Sequence, residues 1–112
     1  MKTVLVVGRD WKFRALLRAQ LLEEGYAALG FETLEEAAAP LGLGAPPAAL
    51  VFDTTDALPG SFQPQLTALA ERLPVVLVAA AGEPFDAGAA RVLRRPLRLE
   101  EVMAELRALL ID

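Results

Sequence analysis

Cysteine and histidine are both absent from the sequence. Without thiols the chain can form no disulfide and has no thiolate nucleophile, and the two residues that supply most zinc sites are missing. The absence of histidine excludes a Ser-His-Asp triad, histidine acid–base catalysis and a role as the histidine donor of a phosphoryl group. Because most kinds of catalytic site are excluded, we expect that the chain is not an enzyme.

Long apolar runs are also missing, since no stretch approaches the ~18 residues that a membrane span needs. The N-terminal segment has one lysine and a short apolar run without the features of a secretory signal, so we interpret it as a strand of a cytoplasmic protein. A net charge of −4 argues against general nucleic-acid binding. Positive charge is nevertheless concentrated at Arg91, Arg94, Arg95 and Arg98, a type of cluster that is more often solvated than anion-binding.

The 112 residues, of which 54% are hydrophobic, suit a single globular domain over 1–112. Short apolar runs alternate with segments in which apolar residues recur at helical spacing. The runs predict strands at 4–7, 26–31, 48–52, 75–78 and 90–93. The helical segments are 11–24, with apolar positions Phe13, Leu16, Leu17 and Leu21, then 34–41, 62–73 and 99–110. This alternation predicts an α/β fold with a parallel sheet and helices on both faces.

Functional groups of such folds lie where the parallel strands end at their carboxyl termini. Several polar or charged residues follow predicted strands and should meet at this edge of the sheet. The residues expected to line the edge are Arg9, Asp10, Asp53, Thr55, Ala79, Arg95 and Pro96.

The order and spacing of several fragments resemble the receiver domain of two-component response regulators, the CheY-like family. The fragments are residues 4–7 before a polar turn, Glu24-Gly25-Tyr26, residues 50–53 before Pro59-Gly60, residues 73–78, and Arg95-Pro96-Leu97 before the last helix. The resemblance covers nearly the whole chain. It implies a flavodoxin-like, doubly wound, five-stranded parallel sheet in the order 2-1-3-4-5. The interval from Ala79 to Arg95 is shorter than the family norm, so we expect the helix between the fourth and fifth strands to be short or missing.

The same resemblance assigns Asp53 to the position of the phospho-acceptor aspartate. The family's two acidic magnesium ligands correspond to Gly8 and Arg9, so one ligand is missing and the other position has the opposite charge. Asp10 is acidic but falls one position late. We therefore expect no cofactor and no magnesium.

Other positions of the family's site have changed as well. The hydroxyl residue at the end of the fourth strand corresponds to Ala79, which cannot bond a phosphoryl oxygen. The family's lysine, which precedes a proline at the end of the fifth strand, corresponds to Arg95. The resemblance also implies that the Arg95–Pro96 bond is cis. The aromatic residue of the fifth strand is replaced by Val92. We expect self-catalysed phosphorylation to be very slow or absent.

A buried carboxylate needs a positive partner, and we expect Arg9, with or without Arg95, to pair with Asp53 and to grip it in two places. Two alternatives stay open. Asp53 could end a strand and bond to nearby backbone N–H groups, and Arg9 could be a solvated surface residue. Asp10 could cap the first helix, or it could hold a metal.

These patterns favour an atypical receiver that acts as a phosphorylation-independent protein-interaction module. One alternative is a working phospho-receiver that uses Asp53 with an unusual metal site, and another is a flavodoxin-like domain that binds a small anion or nucleotide. We expect a protein partner or a second copy to bind at the fifth strand, the last helix and the adjoining loops, where Val102, Leu106 or the shortened loop after the fourth strand could supply an apolar patch. Trp11 is either exposed as a partner contact or packed over the loop after Asp53. If residues 1–112 are the whole protein, any signal must pass by association.

Overall fold

The computed structural model describes residues 1–38, 46–55, 57, 61–82 and 91–111. The elements in chain order are β1 (Thr3–Val7), α1 (Trp11–Glu23), β2 (Ala27–Phe31), α2 (Leu34–Ala38), β3 (Ala49–Asp53), α3 (Gln63–Ala70), β4 (Val75–Ala79), β5 (Arg91–Arg94) and α4 (Leu99–Leu109). All neighbouring strands pair in parallel, in the order β2-β1-β3-β4-β5. The predicted fold class and strand order are confirmed. The predicted short or missing helix between β4 and β5 concerns 83–90, which lie outside the described residues.

The central strands β1, β3 and β4 are apolar almost throughout because helices cover both of their faces. Their register aligns Val7 with Phe52, and Asp53 with Val78. The three strands therefore end at nearly the same level. This alignment brings the residues that follow β1, β3 and β4 to one edge of the sheet.

Alternate residues of each strand face opposite layers of the fold. Val4 and Val6 belong to the core that the sheet forms with α1 and α4, whereas Leu5 and Val7 belong to the core beneath α2 and α3. The second core includes Phe52, whose ring meets that of Phe62 edge-to-face with 5.0 Å between the centroids. The sheet is thus fixed from both sides immediately before its functional edge.

Helix α1 begins and ends as its sequence predicts. The Asp10 carboxylate accepts hydrogen bonds from the backbone N–H groups of Lys12 (3.1 Å) and Phe13 (3.3 Å), so Asp10 is the N-cap. Gly25 follows the helix at φ +90°, a left-handed conformation that glycine adopts most easily. The cap interpretation of Asp10 is confirmed.

The apolar face of α1 differs from the predicted one at one position. Phe13, Leu17 and Leu21 pack in the core, but Leu16 is 61% exposed. A helix turns by about 100° per residue, so Leu16 lies about 100° from Leu17 and about 140° from Leu21, on the outer side of the helix. The prediction that Leu16 faces the core is wrong.

Helix α4 buries its apolar face completely. Val102 and Leu106 are fully buried in the core with α1, so the prediction that they form an apolar surface patch is wrong. The reason is that α4 covers the sheet beside α1 and packs against that layer through these side chains, together with Met103 and Leu110. Among the described residues, no helix is both long enough and apolar enough to cross a bilayer.

Candidate functional site

Asp53 is the last residue of β3, and its side chain has no exposed surface. One carboxylate oxygen, Oδ1, accepts hydrogen bonds from the Thr55 backbone N–H (3.1 Å) and from the Thr55 hydroxyl (2.8 Å). This is the local turn bonding expected of an aspartate at a strand end. Thr55, a predicted site residue, therefore contacts Asp53 directly.

The other oxygen, Oδ2, accepts a hydrogen bond from the guanidinium of Arg95 at 2.9 Å, and the two groups form an ion pair. The backbone N–H of Arg95 donates to the Ala79 carbonyl at 2.8 Å, which holds residue 95 at the end of β4. The guanidinium carbon also lies 5.2 Å from the centre of the Phe13 ring, within the range of a cation–π contact. The Arg95–Pro96 peptide is cis, as the resemblance implied.

Arg95, and not Arg9, supplies the positive charge opposite Asp53. Arg9 is exposed after β1, and in the described parts of the chain it makes no ion pair, so the prediction that Arg9 is the partner is wrong. The alternative of a solvated Arg9 is the correct one. An arginine charge is least costly in water, whereas Arg95 is held beside the buried carboxylate by its backbone bond and by Phe13.

The predicted two-point grip on Asp53 is also absent from this pair. A single guanidinium nitrogen of Arg95 reaches Asp53, because Thr55 already occupies the second oxygen. The Nε of Arg95 is buried and has no hydrogen-bond partner among the described residues. The pair neutralises the aspartate without satisfying every polar atom of the arginine.

Gly8 lies so close to Asp53 that a side chain at this position would be in a tight contact. A Cβ atom added to Gly8 would be 3.0 Å from the Asp53 Cβ and 3.3 Å from its carbonyl oxygen. The Gly8 backbone is fixed on both sides, since its N–H donates to the Phe31 carbonyl at 2.9 Å and its carbonyl accepts a hydrogen bond from the Arg14 guanidinium. A carboxylate at this position would require Asp53 to shift by a few tenths of an ångström.

The residues at this edge do not fit a magnesium ion. Gly8 and Arg9 offer no ligand oxygen from their side chains, and Asp10 uses its carboxylate to cap α1. The Gly8 backbone and the Arg95 guanidinium both lie against Asp53. Across the described ranges, no group of three acidic side chains could hold a metal ion.

No family model matches the sequence, and no curated protein matches it. Solved structures do match. The receiver domain of the TMAO respiratory system response regulator TorR is 20% identical, with a TM-score of 0.83 over 98% of this chain and 97% of that one. The receiver domain of the Francisella response regulator 1452 is 20% identical, with a TM-score of 0.77 over 97% of this chain and 96% of that one. The chain adopts the receiver-domain fold.

The receiver fold also occurs inside an enzyme. The lysine decarboxylase LdcF of Francisella novicida matches with 16% identity and a TM-score of 0.75 over 96% of this chain, which corresponds to 17% of the decarboxylase. A fold of this kind therefore hosts more than one role. The fold alone does not determine the chemical role of this chain, which depends on its own residues.

A cavity of about 510 Å³ opens beside the receiver-type site, between the loops that precede α2 and α3. Arg9, Asp53 and Thr55 line one part of it, and the carboxylates of Glu32 and Glu35 line another. One cation and several carboxylates do not create a positive field, so the lining does not favour an anion. The charge of Arg95, expected to help bind an anion, is used by Asp53.

The side chains of Ala79 and Pro96, the remaining predicted site residues, are less involved in the site. Ala79 is buried at the end of β4 and serves through its backbone carbonyl, and Pro96 is exposed. Phe13, whose ring lies beneath the Arg95 guanidinium, was not predicted as part of the site. Its helical spacing marks a core residue, and no sequence signal distinguishes a core phenylalanine from one that also stacks on an arginine.

The arginine cluster after residue 90 divides among different partners. Arg91 pairs with Glu105 at 2.6 Å, Arg94 donates to the Ala80 carbonyl at 3.1 Å, and Arg95 pairs with Asp53. The cluster is therefore not one continuous cationic patch. Arg98 is exposed immediately before α4.

A second ion-pair group lies at the surface, where the end of α1 meets α4. The Arg107 guanidinium donates to both carboxylate oxygens of Glu24 at 2.8 Å, and it also bonds to Glu100. The hydrogen bonds from Arg107, followed by the one from Gln20, lower the pKa of Glu24 from 4.5 to about 2. The bonds to Glu24 and then Glu100 raise the pKa of Arg107.

Proposed function

We propose that this chain is an atypical receiver domain that acts as a phosphorylation-independent protein-interaction module of two-component-type signal transduction. The observation that carries the proposal is the state of Asp53, whose two carboxylate oxygens accept hydrogen bonds from Thr55 and from Arg95. A phospho-acceptor needs an oxygen free to attack the phosphorus, beside a metal that offsets the developing charge. At this site an arginine of the protein takes the place of that cation.

Binding, and not catalysis, is the role that the remaining residues support. At the described part of this edge Asp53 is neutralised by Arg95 and Asp10 caps α1, so neither carboxylate suits a general base or a nucleophile. The two receiver domains named above belong to proteins described as response regulators. We infer that this chain shares their signalling context while transmitting information through contacts with a protein partner or a second copy.

The test is incubation with acetyl phosphate and magnesium, followed by intact-mass measurement. We expect no gain of a phosphoryl group by the wild type, and a receiver domain that keeps the two acidic metal ligands serves as the positive control in the same reaction. Thermal melts with magnesium and beryllofluoride, which mimics the phosphoryl group, should give the same midpoint as melts without them.

The control variant is Asp53→Ala, assayed in parallel. A phosphoryl gain or a beryllofluoride-dependent rise in melting temperature in the wild type, lost in Asp53→Ala, would overturn the proposal. Either result would favour a working phospho-receiver with an unusual site.

A further inference from the structure

The outer face of α1 is apolar and has no partner within the described chain. We propose that a second copy of this chain binds there, with the two α1 helices packed antiparallel about a two-fold axis. The proposal names a partner for the association proposed above and rests on that function only for its role in signalling. The contact itself depends on α1 alone.

Helix α1 is apolar on both sides. Its inner side chains, Phe13, Leu17 and Leu21, pack in the core. On the outer side Trp11 is 64%, Leu16 61% and Leu22 57% exposed, and Ala15 and Ala19 between them are exposed as well. A surface helix normally places polar residues opposite its buried stripe. Contiguous apolar residues on the outer side instead mark an interaction surface.

The face of β5 and α4, where association was first expected, has the opposite character. Several of its charged side chains are already paired within the chain, Arg91 with Glu105 and Arg107 with Glu24 and Glu100. Val102 and Leu106 are buried beneath it. Because the outer face of α1 is apolar and that of α4 is charged, we place the contact on α1.

The sizes of the outer residues suit a helix that packs against a copy of itself. Ala15 and Ala19 occupy the middle of the helix, and the larger Trp11 and Leu22 lie towards its two ends. When two such helices run antiparallel, the alanines meet at the crossing point and allow the axes to approach closely. Trp11 of one copy then lies beside the Leu22 end of the other.

The charges on this face are also self-complementary. Lys12 is exposed in the first turn and Glu23 in the last, and neither makes an ion pair in the part of the chain that the structure describes. A two-fold axis repeats each contact, so an antiparallel pair places Lys12 of each copy near Glu23 of the other. A parallel pair would juxtapose like charges. The charge pattern therefore favours a second copy in the antiparallel arrangement.

The contact should be weak enough to reverse on dilution. A helix of 13 residues is about 20 Å long, and its one face is smaller than the ~800 Å² per partner of a standard interface. We expect monomer and dimer to exchange over the micromolar range of concentration.

Trp11 is the only tryptophan of the chain, so its fluorescence reports on this face directly. The experiment measures sedimentation and tryptophan emission of the wild type from roughly 10 μM to 1 mM. We expect the mass to double with concentration and the emission to shift to shorter wavelength in parallel, because Trp11 leaves water on association. A monomer throughout this range would overturn the proposal.

Charge reversal then tests the geometry without disturbing the core. Lys12→Glu and Glu23→Lys should each weaken the dimer about tenfold, and the double variant should restore it. The matched control is Glu101→Lys, which makes the same charge change at an exposed position of α4. Leu22→Asp should abolish the dimer while leaving the melting temperature unchanged.

A dimer that is insensitive to all the α1 changes would show that another face associates, and it would overturn the assignment. So would a monomer whose α1 face binds only an unrelated helical protein. Failure here is separable from failure of the proposed function. A monomeric chain that gains no phosphoryl group overturns only this inference, whereas a dimeric chain that gains one overturns only the proposed function.

Discussion

Two ion pairs of the molecule use the same chemical groups in different surroundings. Asp53 and Arg95 meet at the buried edge of the sheet, with no exposed surface on the carboxylate and 35% on the arginine side chain. Glu24 and Arg107 meet at the surface in a two-point contact. The surface pair has the better geometry, yet the buried pair should matter more for stability, because removing one partner strands a charge away from water.

The difference teaches that the local dielectric, more than the number of hydrogen bonds, sets the cost of losing a partner. Water screens Glu24 when Arg107 is removed. Among the described residues, the backbone N–H and the hydroxyl of Thr55 remain to stabilise Asp53 when Arg95 is removed. Variants of the two pairs can break or sharpen this comparison.

Arg95→Met should have the largest effect. Loss of the cation leaves a buried carboxylate unpaired, and we expect a loss of about 3 kcal/mol in the free energy of unfolding, at the lower end for buried pairs because water partly reaches residue 95. Urea denaturation at neutral pH measures it. The matched control is Arg9→Met, which should change stability by less than about 0.5 kcal/mol. Equal losses of unfolding free energy in the two variants would indicate that Arg9 stabilises Asp53 as much as Arg95 does.

Gly8→Asp should cost about 2 kcal/mol, because it places a side chain against Asp53 and adds a second negative charge. Gly8→Ala, measured in the same way, separates the steric part from the charge. Magnesium should not recover the loss. Stabilisation of Gly8→Asp by magnesium would mean that the edge can open into a metal site after all.

Asp53→Asn should have a smaller effect, about 1 kcal/mol, since the amide keeps the shape and Arg95 can turn partly to water. Combining Asp53→Asn with Arg95→Met completes a double-mutant cycle. The double variant should be more stable than the sum of the two single losses predicts. Strict additivity would show that the two side chains touch without stabilising each other.

Glu24→Gln should have the smallest effect, and one that depends on pH. The folded-state pKa of about 2 lies below the ordinary value of 4.5, so the carboxylate stabilises the fold above pH 4.5 and loses this contribution as the pH falls towards 2. The difference in urea midpoint between wild type and Glu24→Gln should therefore shrink over this range, and it should also shrink with added salt. A difference that is constant with pH would exclude a role for the charge.

The alternation of strands and helices and the caps of α1 could be predicted from the sequence because each depends on local spacing and on residue type, whereas the strand order was implied by the resemblance to receiver domains. The partner of Asp53 could not be predicted. Arg9 and Arg95 both follow strands at the same edge, and the choice between them depends on where two long side chains find room. Gly8 shows the same limit. The resemblance indicated that a magnesium ligand is missing at this position, but it did not show that a Cβ atom at Gly8 would lie 3.0 Å from the Asp53 Cβ.

The outer face of α1 shows a different limit. Helical spacing identifies an apolar stripe only when the other side of the helix is polar, and α1 has apolar residues on both sides. Leu16 was therefore assigned to the core of α1, although it is exposed. On α4, Val102 and Leu106 were considered for a surface patch, although they are buried. Which apolar face a helix turns inward is decided by its neighbours in the sheet layer.

The Asp53–Arg95 contact joins residues 42 positions apart in the chain. Its geometry depends on β3, β4 and β5 lying side by side, so we expect it to form late in folding. Interactions that form after the folding barrier slow unfolding more than they speed folding. The pair should therefore slow unfolding, which lengthens the time that each molecule remains folded.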